Sequence, residues 1–408
     1  MTITIVGGGA AGMLAAITAA QNNKNCKIVL IDKNEKLGKK LFITGKGRCN
    51  VTNACDNETF LKNVTTNPKF LYPAINAFDS AKVENLFNLN GCPLKTERGS
   101  RVFPVSDKSS DIIKCLEKLL VKNGVQIVLN KKITAIQRQN DGKFIIKSDF
   151  DTTISDKVVL ATGGNYYKAT GSTGDGYCFA KALGHKLILP KPSLIGFATA
   201  QKTGLQGLTL KNINLKLLQN CKTIKEEFGE LMFTHEGISG PTALTLSAYA
   251  CKLPTDTLKL SVDLKPALSL QRLDERILRD FAEFKNKEFK NGLNLLLPKS
   301  LADYVVKRCG IEPEKEVNSV TKAERKSLCE LLKALTFDVT GFDCPDTAII
   351  TSGGVDVKEI NPSTMESKIV KNLYFCGELI DVDALTGGFN LQIAFSTGYL
   401  AGLNAAKE

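Results

Sequence analysis

The chain has 408 residues, of which 43% are hydrophobic, with a net charge of +12 and 12 cysteines. At about 150 residues per domain, this length predicts two or three domains. Because the chain has only two histidines and no C-x-x-C pair, we expect no metal and no dithiol redox centre. No apolar stretch reaches the roughly 18 residues that a membrane helix needs, so we expect no membrane partner.

Cysteine usage and charge also bear on compartment and partner. Many cysteines without a recognisable leader are typical of a reducing compartment, so we expect a cytoplasmic protein. The positive charge suits a polyanion such as RNA, but a generally lysine-rich composition would give the same value. Charge alone therefore leaves the partner open.

The first thirty-two residues carry the clearest motif. A β-branched run at residues 3–6 leads into G-x-G-x-x-G at residues 7–12, an apolar helical pattern at 13–20, and a second strand at 27–31. Strand, glycine turn, helix and strand in this order are typical of a dinucleotide-binding βαβ unit.

Each part of the motif has a mechanical role. Gly7 permits the tight turn, Gly9 lets the backbone approach a pyrophosphate, and Gly12 lets helix and strand pack closely. Asp32 follows Gly12 by 20 residues, the spacing expected for an acid that binds a ribose hydroxyl. An acid there favours FAD or NAD over NADP. An ordinary glycine-rich turn would not account for Asp32.

A polar segment follows at residues 44–53, with two glycines, Arg48, Cys49 and two asparagines. We expect it to hold a charged ligand; the alternative is a solvated loop. Further along, residues 111–123 predict a helix, and residues 133–137 and 143–147 predict a hairpin around Asn-Asp-Gly. A return strand ends at residues 158–164.

The hydrophobic pattern of the chain changes after Pro190 and Pro192. Alternating apolar residues between positions 213 and 264 predict half-buried antiparallel strands. Residues 268–335 look helical, with a capping-box pattern at 321–324. We therefore expect three parts: a discontinuous domain at 1–190 and 340–408, a β module at 191–266 and a helical insert at 267–339.

The last seventy residues return to a core-like pattern. A buried strand at 373–376 ends at Gly377 and Glu378, and a small-residue helix closes the chain from Ile393 to about Ala406. A terminal strand, acid, loop and helix would complete the sheet of a split dinucleotide domain. The N-terminus of that helix could direct free N–H groups at a ligand.

These residues together resemble a known family. The chain is similar from end to end to the BaiN/RdsA (YhiN-type) group of FAD-dependent oxidoreductases, within the two-dinucleotide-type flavoproteins. Seven motifs in order carry the resemblance: residues 7–12, 45–53, 103–107, 161–164, 170–176, 233–241 and 374–398. The resemblance implies an α/β fold, with a split Rossmann-like FAD-binding domain that carries a β-barrel-like module and a small helical module.

The resemblance also implies which residues contact the cofactor. It places the Gly377–Glu378 pair near the ribityl or phosphate region, and the backbone donors of residues 390–392 near the flavin N1–O2 edge. Lys46 departs from the family pattern, where many relatives have glycine; it either adds charge near the cofactor or faces solvent. The expected cofactor-binding set is Gly7, Gly9, Ala10, Ala11, Gly12, Asp32, Lys33, Lys40, Gly47, Arg48, Cys49, Asn50, Ala161, Thr162, Gly163, Gly377, Glu378, Gly388, Asn390, Leu391 and Gln392.

Reduction of a C=C bond needs hydride at one carbon and a proton from a positioned acid at the other. The candidate donors are Cys49, for which buried packing is the alternative, and His235 in a glycine-rich loop. We expect His185, at an apparent helix end, to be structural. No second G-x-G-x-x-G unit follows a strand, so NAD(P)H, if used, would bind transiently.

Three functional classes remain open at this stage. The resemblance implies reduction of a uridine in 23S ribosomal RNA to dihydrouridine, which fits the basic charge. The same family is linked to small molecules, through reduction of an unsaturated steroid ketone or oxidation of an amine such as aminoacetone. The third class is a non-catalytic, flavin-stabilised RNA-binding protein. The sequence leaves the oligomeric state undetermined.

Overall fold

The structure is a computed structural model that describes residues 1–284 and 287–408. Its strands are β1 (Thr2–Val6), β2 (Lys27–Ile31), β3 (Thr52–Asn53), β4 (Leu94–Glu97), β5 (Arg101–Pro104), β6 (Gln126–Val128), β7 (Ile133–Arg138), β8 (Phe144–Ser148), β9 (Thr152–Ser155), β10 (Lys157–Leu160), β11 (Leu187–Ser193), β12 (Phe197–Thr199), β13 (Thr209–Gln219), β14 (Lys222–Phe233), β15 (Gly237–Ser239), β16 (Leu258–Asp263), β17 (Leu335–Phe342), β18 (Ile350–Val355) and β19 (Leu373–Phe375).

Most helices lie between strands, and two groups, α3 to α5 and α9 to α11, follow one another without an intervening strand in the residues that the structure describes. The helices are α1 (Ala10–Asn22), α2 (Lys39–Ile43), α3 (Asn57–Lys62), α4 (Tyr72–Ala77), α5 (Ser80–Leu89), α6 (Ser109–Lys122), α7 (Asp175–Ala182), α8 (Pro241–Ala250), α9 (Leu270–Glu283), α10 (Lys299–Arg308), α11 (Lys322–Lys333) and α12 (Phe389–Ala405). None of the helices within the described residues is long and apolar enough to cross a membrane.

Backbone contacts divide the chain into two compact units. Unit 1 comprises residues 1–193 and 346–408, and unit 2 comprises residues 194–345. The first unit is therefore discontinuous in sequence, with the second inserted between β11 and β18. The three-part division with boundaries at 190, 266 and 339 stays a prediction.

Unit 1 is built on a five-stranded parallel sheet in the order β19-β10-β1-β2-β6. Apart from the edge strand β6, its strands are mostly apolar and buried, as expected for a parallel sheet covered on both faces. Strand order reverses between β1 and β10, which is the position where such sheets bind ligands at their carboxyl edge. The predicted split Rossmann-like α/β fold is confirmed.

The terminal helix α12 packs directly on α1 through small residues. A Cβ atom at Gly398 would overlap the carbonyl oxygen of Ala11, and one at Gly402 would overlap that of Ala15. Because neither glycine has a side chain, the two backbones approach closely. The first and last helices of the chain thus lie side by side and parallel, with both N-termini directed towards the carboxyl edge of the sheet.

Three smaller sheets complete unit 1. The strands β3, β5 and β4 form one antiparallel sheet, and β7, β8 and β9 form a second that contains the predicted hairpin. The strand β11 pairs with β18, so the segments on either side of the insertion are joined. The predicted helix at 111–123 is confirmed as α6, whose apolar face packs into the core.

Unit 2 contains a closed six-stranded antiparallel barrel in the order β12-β15-β14-β13-β16-β17. The inward residues of β13 and β16, including Ile213, Leu215 and Leu260, are buried, as their period-two pattern predicts. The capping box of Thr321 and Glu324 begins α11 as predicted. The last strand, β17, starts at Leu335, at the end of the region predicted to be helical; its alternation of Leu335, Phe337 and Val339 went unrecognised.

Candidate functional site

The carboxyl ends of four parallel strands bring the predicted site residues of unit 1 to one edge. Gly7 follows β1, Asp32 follows β2, Ala161 follows β10 and Gly377 lies two residues beyond β19. These strands are hydrogen-bonded neighbours, so residues up to 370 positions apart in sequence meet at one edge.

The glycine turn shows three different reasons for glycine. Gly7 has a φ of 110°, and a Cβ there would overlap the backbone of Ala161. A Cβ at Gly12 would overlap the carbonyl oxygen of Gly7. Gly9 differs: its φ of −80° suits any residue, and a Cβ there would meet nothing within 4 Å. Only at Gly9 is the space next to the backbone left open at the start of α1.

Asp32 organises the turn from the neighbouring strand. Its Oδ2 accepts a 2.6 Å hydrogen bond from the Gly8 N–H, and its Oδ1 accepts one of 2.7 Å from the Asn34 N–H. Each oxygen keeps a further lone pair for a hydroxyl donor. Sequence reasoning missed the role of Asn34, which a short polar residue two positions after an acid can signal.

The Lys33 ammonium forms an ion pair and a hydrogen bond within the protein. It lies 2.5 Å from Asp175 Oδ2 and also donates to the Thr173 hydroxyl. It lines an open concavity of ≈ 430 Å³ together with Asn34, Lys132, Lys168, Ala169, Gly171, Thr173 and Asp175. With three lysines against one aspartate, that concavity is cationic.

The turn after β10 presents an unsatisfied hydroxyl. Thr162 Oγ1 is buried and has no hydrogen-bond partner among the described residues. Gly163, with a φ of 76°, continues the turn next to it. A buried polar atom without a partner is costly, so it points to a missing ligand or water at this edge.

Glu378 is held by charge and by backbone. Lys40 Nζ lies 2.9 and 2.7 Å from its two oxygens, and the Thr351 N–H donates to Oε1 at 2.7 Å. Thr351 in turn accepts from the Asn165 N–H through its hydroxyl. Gly377, with a φ of 71°, packs on Ala11 of α1. Thr351 is a supporting residue that sequence reasoning missed.

The N-terminus of α12 opens onto the same edge. Gly388 is its N-cap, with a φ of 98°, and a Cβ there would overlap the Thr52 carbonyl. By helix geometry, the N–H groups of Phe389, Asn390 and Leu391 lack intrahelical acceptors. The expectation for Gln392 needs correction, because its N–H donates to the Gly388 carbonyl at 3.1 Å.

The side chains of this turn are structural. Asn390 bonds the Ala384 backbone in both directions and the Leu385 carbonyl. Gln392 is fully buried and bonds Thr52, Phe78 and Ser396. The first backbone amides of α12, and not these side chains, are therefore the groups left free for a ligand.

The segment at residues 44–53 combines strain with an unsatisfied amide. Cys49 has a φ of 61° and Gly47 a φ of 85°, both in the left-handed region. Such strain in a non-glycine residue is concentrated at functional sites. Asn50 Oδ1 is buried without a partner in the part of the chain that the structure describes.

Arg48 does not present a free charge. Its guanidinium bonds Glu97 at 2.5 Å and Asp107 at 2.6 Å, and stacks 4.2 Å above the Phe103 ring. Hydrogen bonds from Arg48 lower the pKa of the Glu97 carboxyl, and bonds from Lys95 and then Arg48 lower the pKa of Asp107. The four charges of this network cancel.

The two proposed proton donors lie in different units. Cys49 in unit 1 is fully buried, and burial raises the pKa of its thiol to about 12. His235, between β14 and β15 in unit 2, is exposed. Within residues 1–284 and 287–408, no group of three or more His, Cys, Asp or Glu side chains could hold a metal.

Comparison with known proteins identifies the family. Residues 1–404 match the family model described as HI0933-like protein Rossmann domain. The chain belongs to this family. Its members are FAD-dependent oxidoreductases, and the chain is accordingly an enzyme of that class.

Two curated relatives align along almost their whole length. The 3-dehydro-bile acid delta(4,6)-reductase of Clostridium scindens is 29% identical over 409 residues, which cover 100% of this chain and 99% of the relative. The ribosomal RNA dihydrouridine synthase of Haemophilus influenzae is 30% identical over 407 residues, which cover 99% and 98%. The HI0933-like family thus includes proteins named for very different substrates.

A solved structure shows the same fold. The 3-ketosteroid-delta4-(5alpha)-dehydrogenase of Rhodococcus jostii, in complex with 4-androstene-3,17-dione, superposes with a TM-score of 0.52 at 15% identity. The match covers 100% of this chain and 96% of that chain. At this identity the likeness concerns the fold alone.

The edge of unit 1 fits the family's cofactor, FAD. The open space at Gly9 and the unpaired oxygens of Thr162 and Asn50 are features that protein contacts leave unexplained. Asp32 suits a ribose hydroxyl, and the amides at the start of α12 suit an electron-rich ring edge. The individual assignments in the predicted cofactor-binding set remain proposals.

Proposed function

We propose that this chain is an FAD-dependent reductase of carbon–carbon double bonds, and that its substrate is a uridine of 23S ribosomal RNA, converted to dihydrouridine. The names of both curated relatives describe products or substrates of C=C reduction. Their alignment along the whole chain supports the same reaction type here. The substrate must be chosen on other grounds, because the two identities are nearly equal.

The observation that carries the choice of RNA is where the charge lies. Unit 1, which contains the FAD-binding edge, has 32 Lys and Arg against 23 Asp and Glu. Nine of the twelve excess positive charges therefore belong to the unit with the site. A polyanion gains both affinity and association rate from such a surface, whereas a bile acid, with a single carboxylate, gains much less from it.

When bound, FAD supplies the hydride chemistry that protein side chains lack. The chain would hold it through Asp32 and the backbone at Gly9. The unpaired amides at the start of α12 would stabilise negative charge on the ring edge that they face. Lys40 would neutralise Glu378, so that this carboxylate does not repel a nearby phosphate. NAD(P)H would serve as a transient donor.

Cys49 and His235 remain the proposed proton donors. Because burial raises the pKa of the Cys49 thiol to about 12, this thiol is protonated at neutral pH. It would donate only to a substrate that reaches it through the strained 44–53 segment. Loss of turnover in Cys49→Ala with normal flavin content and normal RNA binding would support that role; unchanged turnover would exclude it.

The test uses the purified holoenzyme without oxygen. NADH or NADPH is added until the yellow absorbance of the flavin disappears, and then unmodified 23S ribosomal RNA or an unsaturated steroid ketone is added. We expect RNA alone to restore the absorbance and to gain dihydrouridine. Recovery with the ketone only would contradict the RNA assignment and leave C=C reduction in place.

The second candidate function is reduction of a small unsaturated ketone. It is favoured by the 29% identity to the bile acid reductase over the whole length of both chains. The same experiment separates the two. Recovery with oxygen alone would contradict both and favour an oxidase, such as one acting on aminoacetone.

A further inference from the structure

The hairpin of β4 and β5 ends beside the N-terminus of α12. The Asn53 side-chain amide donates to the Gly99 carbonyl at 3.1 Å and to the Gly387 carbonyl at 3.0 Å. Gly99 is in the hairpin turn, and Gly387 directly precedes the N-cap of α12. One buried side chain thus fixes the hairpin tip next to the amides proposed to face the flavin.

The 44–48 segment contacts the same hairpin at the ring of Phe103 in β5. Arg48 stacks on its ring at 4.2 Å, and Arg101 approaches the ring at 5.9 Å. A Cβ at Gly45 would lie 3.5 Å from the ring. The neighbouring Lys46, with a φ of 58°, is exposed. Loop and hairpin tip are therefore packed around one aromatic side chain.

The charges here do not all cancel. Glu97 and Asp107 are matched by Arg48 and Lys95, which lie 2.5–3.8 Å from them. Lys46, Arg98 and Arg101 are exposed, and no carboxylate among the described residues lies within 4 Å of their charged groups. We call these three residues the basic rim. It carries three uncompensated positive charges next to the proposed catalytic edge.

We propose that the basic rim binds backbone phosphates of the RNA substrate on either side of the target uridine. This inference rests on the proposed function, since it assigns that function's substrate to a surface. Arginine forks match phosphate oxygens in a bidentate manner. Because the tip is tied to Gly387, a phosphate held there would position the adjoining base at the start of α12.

The form of the rim favours RNA over a small carboxylate. Its three side chains are exposed, and they come from two separate segments of the chain. A single carboxylate would use one of these charges. A nucleic acid backbone presents repeated phosphates and gains affinity from each neutralised charge through release of counterions.

The experiment measures RNA affinity against salt. Unmodified 23S ribosomal RNA is bound to the FAD-loaded enzyme over a series of KCl concentrations, with wild type, Lys46→Gln/Arg98→Gln/Arg101→Gln, and Arg98→Lys/Arg101→Lys. The control is Lys143→Gln, which changes an exposed lysine in the β7–β8 turn. The next residue, Phe144, pairs with Ser155, which lies just before the amino end of β10. The control removes a charge at the opposite edge of the sheet.

The slope of log K against log[KCl] is negative, and we expect it to be shallower by about 2 in the triple variant, at roughly 0.7 for each of the three phosphates that the rim no longer neutralises. The double lysine variant should keep the wild-type slope, because it keeps the charge. The control should change the slope little. Flavin content should stay at the wild-type level in every variant, which separates a charge effect from a folding defect.

The outcomes distinguish failure of the rim proposal from failure of the proposed function. A shallower slope in an enzyme that forms no dihydrouridine would support the rim and contradict the proposed function. An unchanged slope in the triple variant, with dihydrouridine formed, would overturn the rim alone. Absence of RNA binding by wild type would overturn both the rim proposal and the proposed function. Both would also be overturned if the triple variant bound RNA like wild type and lost affinity only for an unsaturated ketone that carries a carboxylate.

Discussion

Lys40 and Glu378, 338 residues apart in sequence, form an ion pair in which both carboxylate oxygens lie within 2.9 Å of the ammonium. The side chains are only 24% and 20% exposed, so neither charge is fully solvated. We expect Lys40→Met to lower the free energy of unfolding by about 1–2 kcal/mol, because Glu378 keeps its charge without a cation. It should also weaken FAD binding. Urea unfolding and flavin release on dilution measure the two effects.

The matched variants test the cause. Lys40→Arg keeps the charge and should be nearly as stable as wild type. In Lys40→Met/Glu378→Gln the carboxylate is removed as well, so part of the stability should return. A double variant as unstable as the single one would show that the uncompensated carboxylate is not responsible.

Asp32→Ala should weaken FAD binding by about 10- to 100-fold, corresponding to about 1.5–3 kcal/mol for a hydrogen bond to a charged group. The variant removes the acceptor proposed for the ribose hydroxyl and frees the Gly8 N–H. Equilibrium dialysis of the apoprotein with FAD measures the change. The control is Asp156→Ala, because Asp156 accepts from the Thr2 N–H at 2.7 Å at the opposite edge. Equal FAD affinity in the Asp32→Ala variant and wild type would mean that Asp32 does not hold the ribose.

Local patterns in the sequence were enough for the glycine turn, the position of Asp32 at the end of β2, the capping box at Thr321 and the barrel strands β13 and β16. In each case the deciding residues lie within about twenty positions of one another. The ion pairs that neutralise Arg48 could not be foreseen, since Glu97 ends β4 and Asp107 lies three residues beyond β5, both far from Arg48 in sequence. The same holds for Thr351, which reaches Glu378 only because β18 lies beside the carboxyl edge. Long-range pairing has no sequence period, and therefore such residues were missed.

His185 predicts a pH dependence of stability. Its Nδ1 lies 3.1 Å from Glu359, and its Nε2 lies 2.9 Å from the Ser367 hydroxyl, which accepts from the N–H groups of Ile369 and Val370. With its lone pairs occupied, this hydroxyl donates to Nε2, so the imidazole is neutral with its proton on Nδ1. Burial lowers the pKa of His185 below its usual 6.5, against the opposing charge of Glu359.

The lowered pKa sets the sign of the effect. The unfolded chain takes up a proton near pH 6.5, whereas the folded protein does so only at lower pH. The stabilising contribution is therefore present above pH 6.5 and declines as pH falls towards the folded pKa, by up to about 1.4 kcal/mol per pH unit. His185→Gln should flatten this dependence in urea midpoints measured at about pH 5.5 and 7.5. An equally steep decline in the variant would assign it to other groups.

Alanine substitutions at Gly9 and Gly12 separate effects on FAD affinity from effects on apoprotein stability. Both glycines belong to one motif, yet their surroundings differ: a Cβ at Gly12 would overlap the Gly7 carbonyl, whereas one at Gly9 would meet no protein atom within 4 Å. Gly12→Ala should therefore destabilise the apoprotein by about 1–3 kcal/mol through overpacking. Gly9→Ala should leave apoprotein stability within about 1 kcal/mol of wild type, because its φ of −80° suits alanine and only a helix N-cap preference changes.

The variant that is more stable as apoprotein, Gly9→Ala, should be the one that binds FAD more weakly. In Gly9→Ala, the added methyl group occupies the space left for the pyrophosphate, so we expect a stable protein that binds FAD weakly. In Gly12→Ala, the fraction that folds should bind FAD more nearly normally. Thermal unfolding of the apoprotein and FAD titration on the same samples measure both quantities. If Gly9→Ala bound FAD as tightly as wild type, the open space at the start of α1 would not be where the phosphates lie, and the cofactor placement proposed for unit 1 would have to be redrawn.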